Sequence, residues 1–159
     1  MGNSRYLEVI ALVGRLHRQF LDVIKLEIEK LGIRDINNVQ ALLLFNIGDD
    51  ELSVGELTLR GCYLGSSVSY NVKKLVEHGY IGYRRSLHDR RSIHIRLTGK
   101  GQELRDRLAL MHQRHAAMLP GYGTIGEEDL HKAATTLGRL ERFWGRVGDL
   151  DLRPGQFAA

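Results

Sequence analysis

The chain has 159 residues, of which 43% are hydrophobic and 26% are charged. This balance supplies enough apolar material for a folded core and excludes a fibrous, low-complexity or disordered protein. Val9 to Val13 and Ala41 to Phe45, the longest uninterrupted apolar stretches, are far shorter than the roughly 20 residues of a membrane span, and the N-terminus lacks a signal-peptide pattern. We therefore expect a cytoplasmic protein without a membrane partner. The single cysteine, Cys62, excludes an internal disulfide.

The formal net charge is +4, but the charge is unevenly distributed. From Arg60 to Lys100 nine Lys or Arg residues stand against two acids, so this segment carries +7 and the rest of the chain −3. A basic block in an otherwise mildly acidic protein is typical of a polyanion-binding surface, because each neutralised phosphate releases condensed counterions. A solvated charged face accounts for the pattern equally well, so charge alone leaves both interpretations open.

Helical periodicity predicts a long first helix from about residue 4 to residue 31. A helix with two apolar seams needs two packing partners. The seams are Val13, Leu16, Phe20, Val23 and Leu21, Ile24, Ile28, Leu31. Gly32 is a stop signal, and Asn37 or Asn38 can cap a second helix that is apolar nearly all round and is expected to be buried.

The next segment contains two shorter helices. Ser53 is followed three residues later by Glu56, the capping-box arrangement that begins a helix. This helix ends in a glycine-bracketed turn over residues 61–65, and Ser66 or Ser67 can cap the helix that follows. Two short helices joined by such a turn are typical of a helix-turn-helix, although any exposed amphipathic helix can look similar.

The second of these helices has two contrasting faces. An inward stripe is predicted for Val68, Val72, Leu75 and Val76. The outward face combines hydroxyls, an amide and cations, which suit base edges and phosphates. We predict that this face includes Ser67, Ser69, Tyr70, Asn71, Lys73 and Lys74.

Strand character follows. Residues 80–85 and 92–97 show period-two alternation around an arginine-rich loop, which predicts a hairpin. Because a lone hairpin is only marginally stable, it must pack on the preceding helices and form a winged helix-turn-helix with them.

Two further helices are predicted after the hairpin. Thr98 can cap the first, in which Leu104, Leu108, Met111, His115 and Met118 repeat, and Pro120 with Gly121 to Gly123 is expected to break it. Thr124 and Glu127 form a second capping box that opens the last helix. The terminal segments are expected to pack together, and the leftover seam of the first helix fits a homodimer interface.

The segment from Asp89 to Thr98, followed by Gly99, Lys100 and Gly101, resembles the wing signature of the MarR (multiple antibiotic resistance regulator) family of bacterial transcription factors. Residues 75–81 and 52–57 also resemble family segments, so the likeness covers about residues 52–101. It implies a mainly α single domain with a small β-hairpin wing. The winged helix-turn-helix core would span about 37–98, the dimerisation helices about 4–31 and 99–148, and a C-terminal tail 149–159.

The resemblance implies a homodimeric, sequence-specific regulator of double-stranded DNA in the bacterial cytoplasm, a ligand-responsive repressor at a pseudo-palindromic operator. Arg91, with Arg90 beside it, corresponds to the wing arginine that enters the minor groove. Asp89 would support Arg91, although an Asp at this position can also be a turn former. Tyr70 and Asn71 depart from the family pattern, so the base sequence that the recognition helix reads does not carry over.

The family likeness also implies a small aromatic or lipophilic effector, bound where the first and second helices meet the recognition unit. His17, Phe20 and Tyr63 are the predicted liners, with an ordinary core role as the alternative for such aromatics. No cofactor and no metal site are expected. The sequence contains no phosphate-binding loop, GxSxG or HExxH motif, so we predict no enzyme activity. The alternative function is a winged-helix module that binds protein instead of DNA.

Overall fold

The computed structural model describes residues 2–61, 65–85 and 93–151. Its elements in chain order are α1 (Gly2–Lys30), α2 (Asn38–Ile47), β1 (Leu52–Ser53), α3 (Val54–Gly61), α4 (Gly65–Glu77), β2 (Ile81–Arg85), β3 (Ile93–Leu97), α5 (Gly99–Tyr122) and α6 (Glu127–Asp151). The chain divides into two compact units, one up to His112 and the other from Gln113 onward. Within the described ranges, no helix is both long enough and apolar enough to cross a bilayer. The predicted fold class, mainly helical with a small β wing, is confirmed.

The ends of α1 and α2 follow the predicted local signals. Gly32 has φ 72°, and its N–H donates to the Glu29 carbonyl while the Ile33 N–H donates to the Ile28 carbonyl. This pattern ends a helix on a left-handed glycine. At the start of α2, the Asn37 side chain accepts from the Gln40 N–H at 2.8 Å and the Gln40 side chain accepts from the Asn37 N–H at 3.0 Å. Asn37 is therefore the cap.

The core of the first unit is built around α2. As predicted, α2 is apolar on most sides, and four of its hydrophobic residues are fully buried. α1 contributes Ile24 and Ile28 from its second predicted seam, while Leu31 of the same seam and Leu16 of the first seam are exposed. The core is completed by residues from α3, α4, the sheet, α5 and the loops before α2 and β2: Ile36, Leu52, Leu57, Val68, Val72, Leu75, Tyr80, Ile81, Ile95, Leu97, Leu104, Leu108 and Met111.

The sheet has three antiparallel strands in the order β1-β3-β2. The predicted hairpin is present, with Ile81 opposite Leu97 and Arg85 opposite Ile93. The sequence did not predict β1, in which Leu52 pairs with Ile95. A two-residue strand is too short to show alternation, and the free edge of β3 provides its hydrogen-bonding partner.

One predicted helix boundary is confirmed and one is wrong. α5 ends at Tyr122, within the predicted break over residues 120–123, and it includes Pro120 because a proline within the last turn has a helix-compatible φ and removes only one hydrogen bond. α6 begins at Glu127 without the predicted Thr124 cap, since Thr124 has φ 52° and its hydroxyl donates to the Gly123 carbonyl. Instead, the Asp129 carboxylate accepts from the Gly126 N–H at 2.9 Å. The helix start therefore moves downstream of Thr124.

The second unit exposes its apolar side chains. From Gln113 to Val147 none of the described side chains is buried. On α6 the exposed large hydrophobic residues recur with helical spacing and include Leu130, Leu137, Phe143 and Trp144. An amphipathic helix with its apolar face exposed in the single chain needs a further partner.

Candidate nucleic-acid interface

Helix α4 separates an apolar inward face from a polar outward face. Val68, Val72 and Leu75 are buried in the core, as predicted. Ser67, Ser69 and Lys73 are exposed, and Tyr70 keeps 60% of its surface exposed. Because α4 begins at Gly65, Ser67 lies inside the first turn and does not cap the helix. The outward face thus presents hydroxyls and a cation to one side of the winged unit.

The prediction that Asn71 belongs to this outward face is wrong. Asn71 is buried, and its side-chain oxygen accepts from Gln40 Nε2 at 3.2 Å. Gln40 also completes the cap of α2, so the two amides join the start of α2 to the middle of α4. The sequence contained a usable signal, because Asn71 stands three residues after Val68 and four before Leu75, next to the inward stripe. Asn71 therefore positions α4.

The two lysines of α4 have different surroundings. Lys74 Nζ donates to Glu77 Oε2 at 3.1 Å and lies 5.8 Å from the centroid of the Tyr70 ring. The Glu77 hydrogen bond and charge raise the pKa of Lys74. Lys73 has no ion-pair partner among the described residues and is exposed. Lys73 is therefore the cation of α4 that is available to a phosphate.

The base of the wing carries further cations that the site prediction left out. Arg85 on β2 and Arg96 on β3 are exposed and form no ion pair within the described part of the chain. Arg84, by contrast, lies 3.5 Å from Glu51 Oε2. Both unpaired arginines belong to the basic block of the sequence, so the charge count contained the signal. Asp89, Arg90 and Arg91, the predicted wing-tip residues, lie outside the described residues.

A hydrogen-bonded cluster holds the wing base to the rest of the winged unit. The buried Tyr80 hydroxyl donates to Asp35 at 2.8 Å, and Lys100 Nζ donates to Asp35 at 3.1 Å and to the His78 carbonyl at 2.9 Å. Burial and the neighbouring Asp35 carboxylate raise the pKa of Tyr80, so its hydroxyl remains a donor. Burial raises the pKa of Asp35, but the hydrogen bonds from Tyr80 and Lys100 outweigh it, and the pKa is lowered.

The start of α5 approaches the wing base so closely that it needs a glycine. A Cβ on Gly101 would lie 2.2 Å from the Tyr80 carbonyl oxygen. Thr98 reinforces the approach, because its hydroxyl donates to the Gly79 carbonyl at 2.6 Å and accepts from the Gly101 N–H at 3.2 Å. These contacts fix the orientation of the wing strands against the end of α4.

The predicted effector liners do not share one environment. Phe20 is half-buried and stacks on His112 with ring centroids 5.6 Å apart, while Phe45 contacts the same imidazole at 4.9 Å. His17 is exposed, and Tyr63 lies outside the described residues. Phe20 thus packs in an aromatic cluster where α1, α2 and α5 meet. Across the described ranges, no group of three His, Cys, Asp or Glu residues is arranged to hold a metal ion.

Together, the three-stranded sheet, the helix pair α3 and α4 and the polar outward face define a winged helix-turn-helix protein of the DNA-binding class. Residues 36–101 match a family model described as a winged helix DNA-binding domain. The chain is also 40% identical over 142 residues, 89% of its own length and 73% of the relative, to the exopolysaccharide II synthesis transcriptional activator ExpG of Rhizobium meliloti (strain 1021).

Solved structures show the same fold at low identity. A MarR family transcriptional regulator from Listeria monocytogenes, complexed with a 26-mer DNA, aligns with a TM-score of 0.75 and 15% identity over 94% of this chain and 97% of that one. The MarR of Staphylococcus aureus, complexed with salicylate and kanamycin, aligns with a TM-score of 0.72 and 20% identity over 89% and 93%. The chain belongs to the MarR family of DNA-binding transcriptional regulators.

Proposed function

We propose that this chain binds a pseudo-palindromic DNA operator as a homodimer, with α4 in the major groove and the wing in the adjacent minor groove. The observation that carries the proposal is the outward face of α4, where polar side chains are exposed and Lys73 lacks an ion-pair partner among the described residues. A face of this composition suits recognition of both base edges and phosphates. The Listeria relative is complexed with a 26-mer DNA, which supports DNA as the ligand.

Each proposed contact residue has a role that follows from its chemistry. Ser67, Ser69 and the Tyr70 hydroxyl would bind base edges or phosphates, and Lys73 would bind a phosphate, with Lys74 less available because of Glu77. At the wing, Arg90 and Arg91 are proposed to contact the DNA, with Asp89 holding Arg91. Asn71 was predicted to contact DNA, but we leave it out of the proposed contacts because it is buried beside Gln40.

A homodimer follows from the exposed apolar side chains of the helices at both chain ends. Leu12 and Leu16 on α1, and Leu137 and Phe143 on α6, are all more than 40% exposed in the single chain. Two-fold pairing would bury such surfaces and would place two recognition helices on the two half-sites of a palindrome.

Two features of the regulation are also open to direct measurement. The family resemblance implies a repressor, whereas the 40% identical relative is named an activator. A repressor and an activator would both bind the operator. A reporter assay with the operator at its natural promoter distinguishes them by whether the protein lowers or raises expression. For the effector, the salicylate complex of the Staphylococcus aureus MarR supports an aromatic acid. A panel of aromatic acids, titrated into the DNA complex to saturation, is expected to contain one that lowers DNA affinity.

The test of operator binding is in vitro selection of the purified protein on random duplex DNA, followed by titration of the enriched pool at several salt concentrations. We expect a palindromic motif and a negative slope of log affinity against log salt. Arg91→Ala should weaken specific binding by about 1–3 kcal/mol. Arg139→Ala, an exposed arginine of α6, is the matched control and should bind normally. Selection without enrichment would overturn the proposal and favour a protein-binding winged helix.

A further inference from the structure

Three consecutive acidic residues between α2 and β1 pair with arginines from three different elements. We call Asp49, Asp50 and Glu51 the acidic loop. Asp49 contacts Arg105 of α5, Asp50 lies 2.7 Å from Arg60 of α3, and Glu51 lies 3.5 Å from Arg84 of β2. The acidic loop therefore partly neutralises Arg60 and Arg84, which belong to the basic block from Arg60 to Lys100, and Arg105, which lies just after that block.

Two of these arginines are held by more than the acidic loop. Arg60 also donates to the carbonyls of Asn46 at 3.3 Å and Ile47 at 3.5 Å, at the end of α2. Arg105 also donates to Asp106, at 3.0 and 3.1 Å. Removing one acid of the loop would leave each of these guanidinium groups a remaining partner, so neither arginine would be released.

Arg84 differs from both. Within the described part of the chain, Glu51 is its one ion-pair partner. Arg84 is the penultimate residue of β2, next to the arginine-rich loop of the wing, and the register places it on the same sheet face as Arg96. Its side chain is 58% exposed and that of Glu51 35%. An ion pair this exposed holds its members weakly, so a phosphate can compete for Arg84 when the wing approaches DNA.

We propose that Glu51 lowers the affinity of the wing for DNA by withholding Arg84 from the phosphates. The pair at 3.5 Å makes part of the positive charge of the wing unavailable until Glu51 is displaced. Arg85 and Arg96 have no such partner in the described ranges, so no neighbouring carboxylate holds them. This inference depends on DNA binding by the wing, and not on a palindromic operator.

The test is Glu51→Gln, measured on a duplex of random sequence over a series of salt concentrations. Freeing one arginine should raise the affinity about two- to fivefold, the range that corresponds to an exposed ion pair. The slope of log affinity against log salt should steepen by up to about 0.9, because one more phosphate is neutralised. A gain in affinity cannot arise from partial unfolding, which would lower it. Unchanged or weaker binding would overturn the proposal.

The neighbouring acids are matched controls, since Asp49→Asn and Asp50→Asn change the net charge by the same amount in the same loop. Their arginines stay bound to Asp106 or to the α2 carbonyls, so we expect less than half of the effect of Glu51→Gln. Equal effects for all three variants would show a general field effect and would overturn the specific role of Glu51.

A double variant shows how much of the effect of Glu51→Gln on DNA affinity depends on Arg84. Glu51 also lies 3.7 Å from His94 Nδ1, so in an Arg84→Met background Glu51→Gln is expected to keep less than half of its effect on the affinity and on the salt slope. A full effect in this background would contradict the proposal. Because the duplex has a random sequence, these outcomes are independent of whether the selection experiment finds a palindrome.

Discussion

The winged unit and the last helix use their apolar residues in opposite ways. In the winged unit, Leu44 of α2 and Leu75 of α4 are fully buried within the chain. On α6, Leu137 is 45% exposed and Phe143 is 53% exposed. Helices α4 and α6 are both amphipathic, so an apolar stripe by itself does not distinguish a face that is buried within one chain from a face that requires a second chain.

The contrast separates two sources of stability. The winged unit is stabilised by burial against its own helices and sheet, while α6 is expected to gain its burial from a second copy of the chain. Substitutions in the first region should therefore change the free energy of unfolding directly. Substitutions on the apolar face of α6 should act through association and depend on protein concentration.

The largest expected effect is that of Leu44→Ala, which removes a side chain from the centre of the core. We expect the free energy of unfolding to fall by about 2–5 kcal/mol, because the lost burial is accompanied by a cavity. Chemical denaturation at one protein concentration measures it. The matched control is Leu59→Ala, since Leu59 is 82% exposed and its truncation should change stability by no more than about 0.5 kcal/mol. Similar losses for both variants would contradict the division into core and surface.

Leu137→Asp tests the other side of the comparison. A charge on the apolar face of α6 should raise the dimer dissociation constant at least tenfold, or about 1.4 kcal/mol, because association would bury it. Sedimentation velocity over a range of concentrations gives the constant. Thr135→Asp, two residues earlier and therefore on the opposite face of the helix, should leave it unchanged. An unchanged dimer in Leu137→Asp would contradict an interface on this face.

The two predicted capping boxes offer a sharper comparison, since the same motif forms in one region and not in the other. At Ser53 both bonds are present, from the Glu56 N–H to Ser53 at 3.1 Å and from the Ser53 N–H to Glu56 at 2.7 Å. Ser53→Ala should cost about 1 kcal/mol of unfolding free energy. Thr124→Ala removes no cap and should stay within about 0.5 kcal/mol. Equal costs in thermal denaturation would mean that Thr124 does cap α6.

The smallest expected effect is a pH dependence at the wing base. The folded pKa of Asp35 is lowered, so its ionised form stabilises the protein above the unfolded pKa of about 3.9. This stabilisation is lost as the pH falls through the folded pKa. The unfolding free energy relative to Asp35→Asn should therefore shrink by about 0.5 kcal/mol from pH 6 to pH 3, a small value because solvent screens the pair. Urea denaturation measures the unfolding free energies of both proteins. If the difference between the wild-type protein and Asp35→Asn did not change with pH, the lowered pKa of Asp35 would be contradicted.

Local signals in the sequence predicted most of the helix-turn-helix and wing. Gly32 as a stop, Asn37 as a cap and the capping box at Ser53 are confirmed, because each depends on bonds between residues at most five apart. The inward stripe of α4 is confirmed for the same reason, since helical spacing places its residues on one face. The failure at Thr124 also concerns a local signal, but Thr124 has φ 52°, and the Asp129 carboxylate accepts a backbone N–H at the start of α6 in its place.

The sequence by itself determined the class of fold, the order of its main elements and the family, because these depend on periodicity, caps and a contiguous wing motif. Tertiary structure decided which polar residues are available to DNA. Asn71 is turned inward by Gln40, 31 residues away, and Arg84 is paired with Glu51, while Arg85 next to it has no ion-pair partner in the described ranges. The physical reason is that hydrogen bonds and ion pairs between elements form only after folding brings the elements together, and helical spacing carries no information about them.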